Sequence, residues 1–164
     1  MAEIKEHIDK KKETDEFLAY KISRIFTSKI EIKELENFKI LLKENQIGLN
    51  IGLYLNVNEE TSFIKFDIIT KFIDKNSNNV FIDHIGSTQF QIKTDRRLIV
   101  DDNEIDLPSN IFLELFSLSY THSRALLATE LNPSIYKNEF FIPVLGTDEL
   151  KIFVEKSKKI RSKK

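Results

Sequence analysis

The chain of 164 residues has no cysteine and no tryptophan, and only four glycines and three prolines. Without cysteine there is no disulfide framework, no thiolate metal site and no cysteine nucleophile. That suits a reducing compartment, and a cytoplasmic location is the expectation. Four scattered glycines leave no Gly-rich loop to cradle a phosphate. A formal net charge of -1 supplies no global field to draw nucleic acid or an anionic membrane. No apolar run approaches the ~20 residues that cross a bilayer. Residues 1–16, MAEIKEHIDKKKETDE, mix both signs and lack the apolar stretch of a signal peptide, so they read as a flexible leader or a short exposed helix.

Against these absences, 41% hydrophobic and 31% charged residues describe an ordinary globular chain with room for one core. The aromatic content is lopsided, with thirteen Phe and four Tyr. From Phe17 the chain is strand-like: Leu18, Tyr20, Ile22 and Phe26 recur roughly every second position, and Ile30-Glu31-Ile32 continues the pattern. Residues 34–45 carry Leu35, Phe38, Leu41 and Leu42, at a spacing that fits either an amphipathic turn or an irregular crossover.

The strongest periodicity follows. In QIGLNIGLYLNV, Ile47, Leu49, Ile51, Leu53, Leu55 and Val57 alternate with Gly48, Asn50, Gly52, Tyr54 and Asn56, the period-two signature of a strand with one buried face. After the turn residues Asn58-Glu59-Glu60, Ile64, Phe66, Ile68 and Phe72 take one face of a second strand, and Lys65, Asp67 and Lys71 the other. Residues 75–79, KNSNN, make another turn, and residues 80–92 a third long strand. Short connections between long strands predict an antiparallel meander. Leu98-Ile99-Val100 reads as a short additional strand.

From Pro108 the period changes to three-to-four. Ile111, Leu115, Leu118, His122, Ala125 and Thr129 form a stripe, widened by Phe112, Leu126 and Leu127. Pro108 and Ser109 start a helix and Asn132-Pro133 stops it. A helix over 109–131 spans roughly 33 Å, enough to cover one face of a twisted four-stranded sheet. The fold class is therefore α+β: a four-stranded antiparallel sheet with one long helix packed on one face. The domain is expected over 17–150, followed by a basic tail over 151–164. Lys156, Lys158, Lys159, Arg161, Lys163 and Lys164 in that tail read as a solvated terminus and not as a nucleic-acid site.

The order of these elements resembles the SecB family of export chaperones. Tyr20-Lys21-Ile22-Ser23-Arg24-Ile25-Phe26 is similar to the family's opening strand, and Phe90-Gln91-Ile92 to the close of its meander. Tyr120-Thr121-His122-Ser123-Arg124 sits where the family carries an aromatic-Ala-Arg element, and Phe141-Ile142-Pro143-Val144 looks like its final proline-valine step. The resemblance covers about residues 17–147. Thr88 stands in place of a family glycine, the helix runs about two turns longer, and Glu44-Asn45-Gln46-Ile47 replaces a Trp-Gln-Pro crossover. These departures look more like the solitary SecB-like branch, some of whose members serve toxin–antitoxin systems.

The resemblance implies a non-enzymatic holdase, without cofactor, that binds unfolded client polypeptides and assembles as a dimer of dimers. An alternative is a dedicated interaction module for one partner such as an antitoxin. Docking of the secretion ATPase through an acidic sheet face is put in doubt by Lys65 and Lys71, which dilute Asp67 and Asp83. Candidate polypeptide-binding residues are Phe38, Leu41 and Leu42 in the crossover and Phe112, Phe116 and Tyr120 on the helix, the last two on the flank of its stripe. Tyr20, Ile22 and Phe26 are candidates for subunit pairing. Exposed strand edges offer main-chain hydrogen bonds to an extended client. His84 and His122 lack a clustered third ligand and read as partly buried, hydrogen-bonded histidines, so no catalytic or metal residue is expected. Arg124 reads either as a surface or carboxylate-paired arginine or, by the resemblance, as a residue fixing the helix to neighbouring backbone or to an interface.

Overall fold

The computed structural model describes residues 18–95, 97–100 and 104–161; the expected leader and the last three residues of the expected basic tail lie outside the described residues. The elements run β1 (Leu18–Ile32), α1 (Phe38–Lys43), β2 (Ile47–Asn58), β3 (Phe63–Asp74), β4 (Asn79–Thr94), β5 (Ile99–Val100), β6 (Glu104–Ile105), α2 (Ser109–Leu131) and α3 (Thr147–Arg161).

Strands β2, β3 and β4 form the expected meander, and β1 completes a four-stranded sheet in the order β1-β4-β3-β2, antiparallel throughout. The first turn is held by Asn58, whose side-chain oxygen accepts the Thr61 amide at 3.0 Å. In the second, Asp74 accepts from Ser77 Oγ at 2.7 Å and from the Asn76 amide at 2.9 Å. Those bonds hold its carboxyl below the usual carboxylate range. Asn78 takes φ 58°, a left-handed conformation that asparagine tolerates. β1 joins the far edge beside β4, so the chain crosses the sheet end through α1 to reach β2, and residues 38–43 settle the crossover as helical.

One face of the sheet is dry. Ile64, Phe66, Ile68 and Phe72 of β3 and Ile82, Phe90 and Ile92 of β4 are all buried, and α2 lies across them. Each such side chain contributes roughly 1.5–3 kcal/mol by leaving water. The helix bounds match those expected, but its buried stripe has a different phase. It runs through Phe112, Leu115, Phe116, Ser119, Tyr120, Ser123, Leu127 and Leu131, while Ala125 and Thr129 face solvent. The physical cause is a close approach. A Cβ added to Gly86 of β4 would lie 2.4 Å from Ser123 Oγ and 2.8 Å from Ser123 Cα, so helix and sheet touch where small residues meet. Phe116 and Tyr120 thereby rotate from the flank into the core.

α3 packs on α2 through stacked rings of Phe116 and Phe153, 5.2 Å apart, and buries Leu150 and Val154. It runs across residue 151, where the basic tail was expected to begin, as far as Arg161. β1 carries register shifts between Ile22 and Arg24 and between Thr27 and Lys29. The first puts Phe26, opposite Ser87, on the open face, whereas Tyr20 and Ile22, opposite Ile92 and Phe90, face the helix layer.

Candidate polypeptide-binding surface

Five rings gather where the crossover meets the chain after α2. Phe38 of α1 packs edge-on against Tyr136 at 5.2 Å and near Phe140. Phe140 also contacts Phe72 at 5.0 Å and Phe81 at 5.4 Å. Tyr136 locks the arrangement: its hydroxyl accepts the Leu35 amide at 2.7 Å and donates to the Lys33 carbonyl at 2.6 Å. Much of the phenylalanine excess is thus spent inside the fold.

The segments resting on this cluster present apolar side chains outward. Ile40 and Leu42 of α1 are exposed, as are Ile135, Phe141 and Val144. Residues 140–144 belong to no helix or strand, and Phe140 and Ile142 are turned in while Phe141 and Val144, at 59% and 73% exposure, are turned out. Two donors from α2 fasten this segment: Tyr120 OH donates to the Pro143 carbonyl and Arg124 Nε to the Ile142 carbonyl, each at 2.9 Å. Burial pushes the Tyr120 hydroxyl up to about 12, so it remains a donor at any ordinary pH. Arg124 therefore links helix to backbone, one of the two roles the family resemblance implied.

Of the residues singled out in the sequence, only Leu42 belongs to the outward surface. Phe38, Leu41, Phe112, Phe116 and Tyr120 are buried in the chain's own core. Sequence reasoning did not single out Ile40, Ile135, Phe141 or Val144 as surface residues. A two-residue alternation in FFIPV was the available signal for Phe141, but it would have turned Val144 inward with Phe140 and Ile142, and Ile135 had no signal. On the β1 edge, the Tyr20 hydroxyl donates to Glu114 of α2, which together with burial raises it to about 12, and Ile22 and Ile25 are exposed. Phe26, on the other face, lies under the Arg24 guanidinium at 4.6 Å.

The histidines separate. His122 is half-buried and its Nδ1 lies 3.0 Å from Thr88 Oγ1, as expected of a hydrogen-bonded histidine. His84 departs from that expectation: it is fully buried, and neither ring nitrogen has a hydrogen-bond partner. Its place on the dry face, with Thr70 opposite on β3 and Ile30 opposite on β1, explains this, since neither neighbour reaches it with a hydrogen bond. Among the described residues no group of three His, Cys, Asp or Glu could hold a metal ion, and no helix is long and apolar enough to cross a membrane.

The uncovered sheet face carries charge in neutralised sets. Lys29 Nζ lies 2.8 Å from Asp83 and 3.3 Å from Glu31, Lys71 lies 3.8 Å from Asp83, and Lys65 lies 3.1 Å from Asp67. Asp67 is further fixed by Ser87 Oγ at 2.5 Å.

No family model matches the sequence, and no curated protein matches it. Among solved structures, the chain is similar to a SecB-like chaperone from Mycobacterium tuberculosis, determined in complex with a ChAD peptide from an antitoxin. The TM-score is 0.49 at 10% identity, over 77% of this chain and 88% of that one. It is also similar to a Streptococcus agalactiae protein of unknown function, with TM-score 0.36 and 12% identity over 80% of this chain and 98% of that one. Likeness at this level is one of layout.

Proposed function

We propose that this chain is a SecB-like holdase that binds extended apolar segments of non-native polypeptides without ATP hydrolysis. The observation that carries the reading is the outward apolar set Ile40, Leu42, Ile135, Phe141 and Val144, seated on one aromatic cluster. Exposed apolar side chains on a rigid base bind by removing client apolar area from water, with little sequence readout. Phe38 and Leu41 support that surface from beneath, and Phe112, Phe116 and Tyr120 hold α2 and the 140–144 segment in place. Assembly as a dimer of dimers belongs to the same proposal, with Tyr20, Ile22 and Phe26 on the β1 edge as contributors.

The test is aggregation of a denatured model protein followed by light scattering. Several-fold molar excess of the chain should suppress it. The double variant Ile40→Asp/Phe141→Asp should lose suppression while keeping its circular dichroism and melting temperature. No suppression by the unaltered chain would sink the holdase reading.

The small extent of the outward set favours a second reading, a dedicated interaction module for one partner such as an antitoxin. Tight binding of one peptide together with no effect on denatured clients would select it. Docking of the secretion ATPase is disfavoured, because the carboxylates of Asp67 and Asp83 are already paired with lysines of the same face.

A further inference from the structure

At one end of the sheet, residues 19–21 of β1, 91–93 of β4 and 60–62 in the β2–β3 turn enclose an open pocket of about 440 Å³. That volume lies within the range of small-molecule sites. The register sets its charges. Lys21 stands opposite Gln91 and Ala19 opposite Lys93, so the two lysines share a face on a diagonal, about 7–8 Å apart. The small Ala19 leaves the corner beside both of them open. Rows across the sheet at this end read Lys21–Gln91–Phe63 and Arg24–Gln89–Lys65, without a carboxylate. At the far end, by contrast, Asp83 already meets Lys29 and Lys71.

The turn that walls the pocket is fixed at three points. Asn58 accepts the Thr61 amide at 3.0 Å, the Ser62 carbonyl accepts the Ile92 amide at 2.8 Å, and Glu59 accepts the Ile99 amide at 3.0 Å. Ser62 sits among these bonds at φ 54°, a left-handed conformation uncommon for serine. Among the described residues, the side chains of Lys21, Thr61, Ser62 and Gln91 enter no hydrogen bond or ion pair. Strained backbone held rigidly beside uncommitted donors is a mark of ligand sites.

We propose that this pocket binds a small phosphomonoester whose body carries hydroxyl groups, a sugar phosphate in chemical class. A phosphate dianion calls for two cations, and Lys21 and Lys93 supply them as point charges. Thr61, Ser62 and Gln91 add neutral donors for the remaining phosphoryl oxygens. Glu60 repels an anion but accepts hydrogen bonds, so it serves the hydroxyl-bearing end of the ligand. The one ring lining the pocket, Tyr20, is packed edge-on against Phe90 and bonded to Glu114, which leaves no platform for a nucleobase.

The test is an NMR titration of the full chain with glucose 6-phosphate, glucose and inorganic phosphate, at constant ionic strength so that general screening moves nothing. The sugar phosphate should shift the amides of residues 19–21, 60–62 and 91–93 saturably, with a midpoint of about 1 mM or below. Glucose should shift none of them. Lys21→Ala should weaken binding by about tenfold, and Glu60→Gln should lower the preference for the sugar phosphate over inorganic phosphate. Both positions are exposed, and unchanged melting temperatures confirm that the variants fold; Thr61→Val replaces Lys21→Ala if that variant does not. Shifts that never saturate, or that spread over lysines elsewhere on the surface, overturn the inference. So does an affinity indifferent to Lys21→Ala and Thr61→Val, and inorganic phosphate binding as tightly as the sugar phosphate overturns the ligand class.

Discussion

Acidification should unfold this chain through one side chain. His84 has no exposed surface, and desolvation lowers its pKa from 6.5 to about 4, against the opposing pull of Glu130 on α2 and Asp83 on its own strand. The unfolded chain takes up a proton near pH 6.5, and the native one only near pH 4. The neutral ring's contribution is therefore fully present above about pH 6.5 and is lost as the pH falls towards 4. At about 1.4 kcal/mol per tenfold in equilibrium constant, the loss amounts to roughly 2 kcal/mol at pH 5 and roughly 3 kcal/mol at pH 4. Urea titrations at pH 7.5 and pH 5 should show the midpoint falling by about 1 M for a typical dependence of about 2 kcal/mol per molar. Carboxylates also titrate in this range, so His84→Leu is the control. It should be near neutral at pH 7.5, because the ring makes no hydrogen bond there, and should remove most of the pH-dependent difference. Parallel pH profiles for the two proteins would refute the reasoning, as would an NMR titration of His84 with its midpoint near 6.5.

Three further outcomes follow from contacts already described. Gly86→Ala forces a methyl to within 2.8 Å of the Ser123 backbone and should cost about 1–3 kcal/mol, read as a lower melting temperature, with no rescue by Ser123→Ala. Tyr136→Phe removes a hydroxyl that serves both the Leu35 amide and the Lys33 carbonyl, and should cost about 2 kcal/mol by chemical denaturation. Arg124→Ala should release the Ile142 carbonyl and speed hydrogen exchange and proteolysis across residues 140–146, leaving the sheet amides unchanged.

Legibility in the sequence followed local signal. Strict alternation in β2 and β3 and the stop at Asn132-Pro133 are local, and the structure reproduces them. The face that α2 buries is not local. Ser119 and Ser123 are polar in the sequence, yet both are buried, and Ser123 fits the seam because Gly86, more than thirty residues earlier, makes room for it. The β1 bulges left one trace, the three-residue step from Ile22 to Ile25, both of which the structure places on the helix side. The candidate surface was legible only at Leu42. A large aromatic in a crossover signals burial as readily as binding, and Phe38 packs into a ring cluster assembled from segments about 100 residues apart in the chain.

That separation orders events during synthesis. Leu18 has its partner at Thr94, while the Leu35 amide and Lys33 carbonyl wait for Tyr136, 101 and 103 residues downstream. At roughly 5–20 residues per second, about 5–20 s pass before the crossover can be closed. The meander between them needs only its own short turns and is free to form first. β1 is thus the strand that waits, and the bulges and charges along it keep a nascent edge from pairing with a neighbouring chain during that interval.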